Sequence, residues 1–335
     1  METKETKELK NAGNFRKYWN AFDEKGIIII LVALCLVLQI VQPAFGNVTN
    51  ILNIFKQISE IGIMAIGMTY VLIASEFDLS VGSNYGFCMI ISGLTLQQGM
   101  PTALAIVFPI LVGMGIGFIN GVFVTKVKIP AFIVTLSMMA ILRGCVYVFS
   151  DGKALSVFPD MSIWFFKMGG KIGDIFPIQI IFMAVFYAIA VFVLQKTIFG
   201  YKVFAVGGNA KTARLSGINV DRVKITTFII MGAMSAVAAI LGLAYMKSVH
   251  PTIGVGREMD VIAAVIIGGT ALGGGKGSMV GTLIGASIMG VVRNGMVLLG
   301  VPAFFQSAFI GVVIMLAVIG ERWINKKRVK STLQK

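Results

Sequence analysis

The chain has 335 residues, of which 57% are hydrophobic and only 13% are charged. Soluble domains carry about 25% charged residues, so a deficit spread over the whole length excludes an ordinary globular protein. The net charge of +14 raises nucleic acid as a partner, but the basic residues are scattered among short connectors, with no aromatic and basic surface to hold a strand.

Long runs without a charged side chain set the class: Leu79 to Thr125, Ile225 to Met246 and Asn294 to Gly320. A spanning helix needs about 20 apolar residues, and lipid leaves no backbone group to pair with solvent. The expected fold is all-α: a polytopic membrane protein of about ten transmembrane helices, some short or broken. In chain order the predicted spans are 26–42, 51–75, 80–98, 101–124, 130–150, 175–195, 225–246, 258–275, 277–299 and 302–320. Residues 1–25 form a polar N-terminal tail and 321–335 a basic C-terminal one. The first span, with Ala44-Phe45-Gly46 after it, has some features of a signal-peptide core. The leader would be unusually long for that role, so the helix is kept.

Connector charge orients these spans. With the N-terminus inside, the inner connectors hold 21 Lys and Arg, against five in the outer ones: Lys153, Lys167, Lys171, Lys247 and Arg257. The excess places both termini in the cytoplasm. Lys56, Arg143 and Arg293 remain within spans. Lys56 and Glu60 stand four residues apart and are expected to pair on one helix face. Arg143, Arg293, Glu258 and Asp260 are open to two readings, ion pairs between spans or a polar rim for a docking partner.

Two spans make poor helices. The stretch 258–275 ends in a glycine run from Gly268 to Gly275, and residues 76–86 carry two carboxylates and two glycines. Such breaks survive at membrane depth only under protein or beside a water-filled cavity, and interrupted segments point to a transport pathway. Candidate pathway residues are Glu76, Asp78, Ser80, Ser83 and Asn84, with Asn120 and Asn294, each followed by a glycine. Two readings of Asp78 and Ser80 stay open: a polar patch for a polyhydroxylated solute, or a capped helix start.

Other patterns read as packing or fail outright. Gly113, Gly117 and Gly121 share one helix face, as do Gly277, Gly281 and Gly285, which suits close helix approach. Lys276 follows glycines, but Thr270 and Gly277 occupy positions where a nucleotide loop needs Gly and a hydroxyl residue, so any ATP-driven function requires another polypeptide. Cys35, Cys88 and Cys145 read as small core residues, and His250, the single histidine, cannot build a metal site alone. No nucleophile–base pair supports a membrane enzyme.

The connector 196–224 carries the strongest signal. Ala210 to Ser216 is a short basic helix, with Asn209 as its N-cap and Gly217 just past its end. Lys211, Arg214 and Arg222 flank a small surface at Ala213 and Gly217, and Asp221 belongs to the same candidate coupling set. A loop that merely anchors by charge needs no capped helix. A helix along the cytoplasmic face can enter a cleft of a soluble partner and pass on rigid-body motion.

An ordered series of motifs extends these readings: Asp78-Leu79-Ser80-Val81-Gly82-Ser83; Asn120-Gly121, then Ile129-Pro130-Ala131-Phe132-Ile133-Val134-Thr135-Leu136; Ala205-Val206-Gly207-Gly208-Asn209; Ala213-Arg214-Leu215-Ser216-Gly217-Ile218-Asn219-Val220; and Asp260 to Gly269, leading to Gly273-Gly274-Gly275-Lys276-Gly277-Ser278. From about residue 45 onward the chain resembles the membrane permease subunits of bacterial ABC importers for monosaccharides, of the ribose, galactoside and xylose type. The resemblance implies a homodimer, or a pair with a close relative, in the bacterial inner membrane. It implies a cytoplasmic ABC ATPase that binds ATP and Mg, an extracytoplasmic sugar-binding protein, and no cofactor in this chain. By position Ala213, Arg214 and Gly217 match the family's coupling segment. Ser75-Glu76-Phe77 departs from it, because many relatives have glycines there, and this leaves pentose, hexose, polyol and nucleoside-like solutes open. The rival readings are an ion-gradient-driven secondary transporter, with Glu76 and Asp78 as its only midplane carboxylates, and a passive channel.

Overall fold

A computed structural model describes residues 26–156, 164–173, 175–302, 305–312, 314–315 and 319. Twelve helices can be followed in order: α1 (Gly26–Val41), α2 (Val48–Ile73), α3 (Val81–Gln97), α4 (Thr102–Thr125), α5 (Ala131–Ser150), α6 (Trp164–Lys167), α7 (Ile178–Lys196), α8 (Ile198–Gly208), α9 (Ala210–Leu215), α10 (Val220–Met246), α11 (Arg257–Ile267) and α12 (Met279–Leu298). Residues 305–312 are also helical. Six of these, α2, α4, α5, α7, α10 and α12, are long and apolar enough to cross a membrane, while α1 and α8 are shorter apolar helices. The predicted spans match this order closely. The tenth is helical wherever it is described beyond Pro302, and the rest of it and both tails lie outside the described residues.

Local chemistry sets the helix boundaries. Pro101, Pro130 and Pro177 directly precede α4, α5 and α7, where a fixed φ and a missing N–H cost nothing. Asn47, Thr197, Asn209, Asn219 and Ser278 each accept a backbone N–H at the start of α2, α8, α9, α10 and α12. Within α4, Pro109 cannot donate to the Ala105 carbonyl four residues back. The Ser92 hydroxyl of α3 donates to that carbonyl instead, at 2.7 Å. In lipid an abandoned carbonyl has no water to turn to, so a neighbouring helix supplies the donor.

Helices α2, α10 and α12 are mostly buried and form the centre, whereas less than a third of α4, α5 and α7 is buried. The outer faces carry large apolar side chains such as Phe108, Leu111, Phe132, Val148 and Phe192, as expected of surfaces that meet acyl chains. Glycines bring the central layers together. A β-carbon at Gly117 would collide with the Phe228 carbonyl, one at Gly113 would lie 2.5 Å from the Gly232 carbonyl oxygen, and one at Gly121 would meet Ile225. This order makes α4 and α10 antiparallel. Gly281 and Gly285 likewise press on Gly268 and Ala264, pairing α12 with α11. Both glycine faces expected from the sequence are therefore packing faces. Helices α2 and α7 run parallel: the Tyr187 hydroxyl donates to Gly62 O at 3.1 Å and that of Tyr70 to Ala190 O at 2.9 Å.

Two antiparallel strand pairs cap one end of the bundle, β1 (Leu155–Ser156) with β4 (Ser248–Val249) and β2 (Lys171–Ile172) with β3 (Phe176–Pro177). Helix α9 lies at the other end. The helix expected over 258–275 stops at Ile267, and residues 268–278 turn back through Gly269, Gly274 and Gly275, all at positive φ. The other break is shorter than expected. Residues 74–80 are irregular, and α3 begins at Val81.

Candidate transport and coupling site

Helix α9 is short enough that its ends decide whether it forms. Asn209 Oδ1 accepts from Thr212 N at 3.0 Å. At the other end Ile218 N donates to Ala213 O and Gly217 N to Arg214 O, with Gly217 at φ +81°. This is a Schellman ending, which requires the left-handed residue that glycine supplies. Ala213 is buried, whereas Lys211, Arg214 and Gly217 are exposed. Asp221, at the start of α10, holds two neighbours. Its Oδ1 accepts from Arg214 and its Oδ2 from Lys126, each at 2.9 Å. The predicted set Asn209, Lys211, Ala213, Arg214, Gly217 and Asp221 thus forms one compact element, tied to the α4–α5 connector by Lys126. Sequence reading missed Leu215, which is 83% exposed beside these cations. It also missed α8, an apolar helix inside the connector.

The element rests on a junction of three backbones. Gly275 N donates to Ile73 O at 2.9 Å, a β-carbon at Gly207 would strike that same carbonyl, and the Ser75 hydroxyl donates to Gly273 O at 3.1 Å. The ends of α2 and α8 and the 268–278 turn therefore meet with no side chain between them. Beside the junction, Lys224 of α10 pairs with Glu76 in a partly buried contact.

The predicted pathway residues separate into three places. Asp78 Oδ1 accepts from Ser80 N at 2.8 Å and from the Ser80 hydroxyl at 2.6 Å, and Asn120 Nδ2 donates to Ser80 Oγ at 3.0 Å. All three are buried, as are Ser83 and Asn84. Asn84 Oδ1 accepts from the Cys88 thiol at 3.2 Å, and Ser83 Oγ has no partner among the described residues. Glu76 stands apart, on Lys224. Asn294 lies elsewhere, in a reciprocal amide pair with Asn50 at 2.8 and 3.0 Å.

A second group of charges crosses the bundle interior. Glu60, at the midpoint of α2, pairs with Arg257 at 3.0 Å and accepts from the Tyr85 hydroxyl at 3.4 Å. Asp260 pairs with Arg293 of α12 at 2.8 Å. This group corrects two expectations. Lys56 does not pair with Glu60 but reaches the Tyr245 hydroxyl at 3.3 Å. Glu60 turns into the core, where a guanidinium that bonds it directly repays more of its desolvation than a lysine on the outer face. Arg257, assigned to an outer connector, instead begins α11 deep in the bundle. Ion pairing between spans is the observed arrangement for Asp260 and Arg293.

Comparison with known proteins agrees with this architecture. A family described as the permease component of the branched-chain amino acid transport system matches residues 50–318. The ribose import permease protein of Haemophilus influenzae is 38% identical, covering 91% of this chain and 95% of its own. That of Escherichia coli K12 is also 38% identical, covering 94% and 97%. The L-arabinose ABC transporter permease protein of Azospirillum brasilense is 34% identical, covering 92% and 91%. No solved structure matches. Helix content, apolar spans and full-length likeness all lead to one assignment: the chain belongs to this permease family, as a multi-pass membrane subunit of an ABC importer that moves a solute and is not itself an enzyme.

Proposed function

We propose that the chain imports a monosaccharide of the ribose or arabinose class across the bacterial inner membrane by alternating access, driven by a separate ATPase. The family description names amino acids, but relatives that align over nearly their whole length are ribose and L-arabinose permeases, which supports a sugar. Two copies would form the passage. Both termini would be cytoplasmic, as the excess of basic residues in the connectors on the α9 side supports. A sugar-binding protein would dock at the strand-capped end. ATP and Mg would bind the ATPase and not this chain.

The single observation that carries the reading is α9, a capped and clamped helix that offers Leu215, Lys211 and Arg214 outward. The ATPase would receive this helix in a cleft. Its closure on ATP would move α9, and the backbone junction at Ile73, Gly207 and Gly275 would carry the displacement into α2 and α11 without play from flexible side chains. Glu76, Asp78, Ser80, Ser83, Asn84 and Asn120, with Asn294, are the polar seams along which the helices would part.

The test is uptake by proteoliposomes holding the chain, its ATPase and its binding protein. Gly217→Trp forces a bulky residue to φ +81° in the ending of α9. ATP-dependent uptake is expected to fall at least about tenfold, as strain of about 1–3 kcal/mol displaces the element. Undiminished uptake would remove the role assigned to α9, and uptake by the chain alone on a proton or sodium gradient would replace the ATPase reading with a secondary transporter.

A further inference from the structure

Residues 250–256 are irregular backbone that descends from β4 to α11. They end where Arg257 meets Glu60, at the midpoint of α2. The Ile253 carbonyl lies against Gly86 of α3 and accepts from Arg143 Nη1 of α5 at 2.9 Å. The stretch is nevertheless open on one side: Thr252, Val255 and the following Met259 are exposed. Its turns pair Ile253 N, Val255 N and Arg257 N with the carbonyls of His250, Thr252 and Gly254, but non-helical backbone at membrane depth persists only under protein or beside a water-filled cavity. The neighbouring charges carry the same message. Arg143 projects from a helix otherwise faced with exposed Phe132, Ile141 and Val148, and Glu258 lies close enough to interact with it. Charged groups at this depth face protein or water.

Glu258 is also incompletely bonded. Its Oε1 accepts from Gly256 N at 3.3 Å. Its Oε2 is buried against Gly82 and has no partner among the described residues. Arg143 uses Nη1 on Ile253 and retains further N–H donors. A carboxylate with a free acceptor beside a guanidinium with free donors suits adjacent hydroxyl groups, which both donate and accept. The ion pairs Glu60–Arg257 and Asp260–Arg293 fix α11 immediately behind this pair.

We propose that the 250–256 break is a water-lined wall of the passage, and that Glu258 of α11 and Arg143 of α5 beside it form a subsite for the hydroxyl groups of a sugar-like solute. The wall stands on geometry alone, whereas the ligand class rests on the permease function proposed above. Solute hydroxyls would satisfy Glu258 Oε2 when α11 and α3 separate, so the subsite would be occupied during passage and closed at rest.

The experiment uses the complete importer in proteoliposomes. Thr252→Cys and Val255→Cys are treated with a charged, membrane-impermeant thiosulfonate, and modification is mapped by peptide mass spectrometry, which leaves the native cysteines in place. Leu111→Cys, on the exposed face of α4, is the lipid-facing control. Both break positions are expected to react at least tenfold faster than the control, whereas equal rates would overturn the wall. Glu258→Gln is expected to lower uptake per ATP hydrolysed about tenfold, with assembly and stimulated ATP hydrolysis retained. Unchanged uptake per ATP would overturn the subsite. A wild-type importer that moves no sugar would overturn the ligand class while the labelling still decides the wall.

Discussion

The two helix interruptions deep in this bundle use similar residues to different ends. At 74–80 the carboxylate of Asp78 is engaged twice by Ser80, Asn120 of α4 closes the set, and these three side chains are buried. At 250–256 the carboxylate of Glu258 keeps a free oxygen, and Thr252 and Val255 face outward. The breaks touch at Gly82 and Gly254, where each glycine abuts the other's carbonyl. The difference lies in the carboxylates: one bonded twice within its own turn serves as a structural joint, whereas one that keeps a free oxygen is shaped for something that arrives.

The largest expected effect comes from forcing the two breaks apart. Gly82→Val would drive its side chain into the Gly254 carbonyl and the Glu258 carboxylate. Overpacking usually costs about 1–3 kcal/mol and occasionally more, and here backbone on the facing side leaves so little room to relax that the cost is expected above about 3 kcal/mol. Thermal unfolding of the purified chain in detergent should show a greater loss of stability for Gly82→Val than for Asp78→Ala, Glu258→Gln or Asp221→Asn, and uptake should vanish. A Gly82→Val protein as stable as wild type would mean that the breaks are not packed together.

A smaller effect separates the breaks from each other. Asp78→Ala strands the Ser80 N–H and removes a buried, doubly bonded carboxylate, a loss of about 2–3 kcal/mol. Glu258→Gln keeps the shape and the bond to Gly256, so its stability should lie within about 1 kcal/mol of wild type. The same unfolding assay ranks them, and a Glu258→Gln variant less stable than Asp78→Ala would reverse the contrast.

The smallest stability effect is expected outside the bundle. The Asp221 pairs with Arg214 and Lys126 are solvent-exposed, and such pairs contribute about 0–1 kcal/mol each. Asp221→Asn should therefore barely change unfolding, yet lower ATP-dependent uptake several-fold by loosening α9. Raising salt should reproduce part of that loss in the wild-type importer, since exposed pairs are screened. Uptake by Asp221→Asn equal to wild type, with α9 still engaged, would show that the clamp does not matter.

Legibility in the sequence depends on how local the cause is. The limits of α9 can be read because Asn209 and Gly217 act within one turn of the helix ends they define. Span order can be read because each apolar run is continuous. The glycine faces are visible as spacing, although their partners are not. The pairing of Glu60 with Arg257 is hidden: 197 residues separate the two, while Lys56 offers a plausible partner four residues away. Helix α8 is hidden because its apolar residues sit inside a connector whose basic charge reads as loop. The exposure of Leu215 depends on what the surrounding elements fail to cover, which no local pattern records.

The central claim is that α9 lies on the cytoplasmic side and is held there by an ATPase. Leu215→Cys tests it directly, because the side chain is 83% exposed. The account predicts modification by an impermeant thiol reagent in inside-out vesicles but not in right-side-out ones, and protection when the ATPase is bound. Modification in right-side-out vesicles, or equal modification with and without the ATPase, would contradict it.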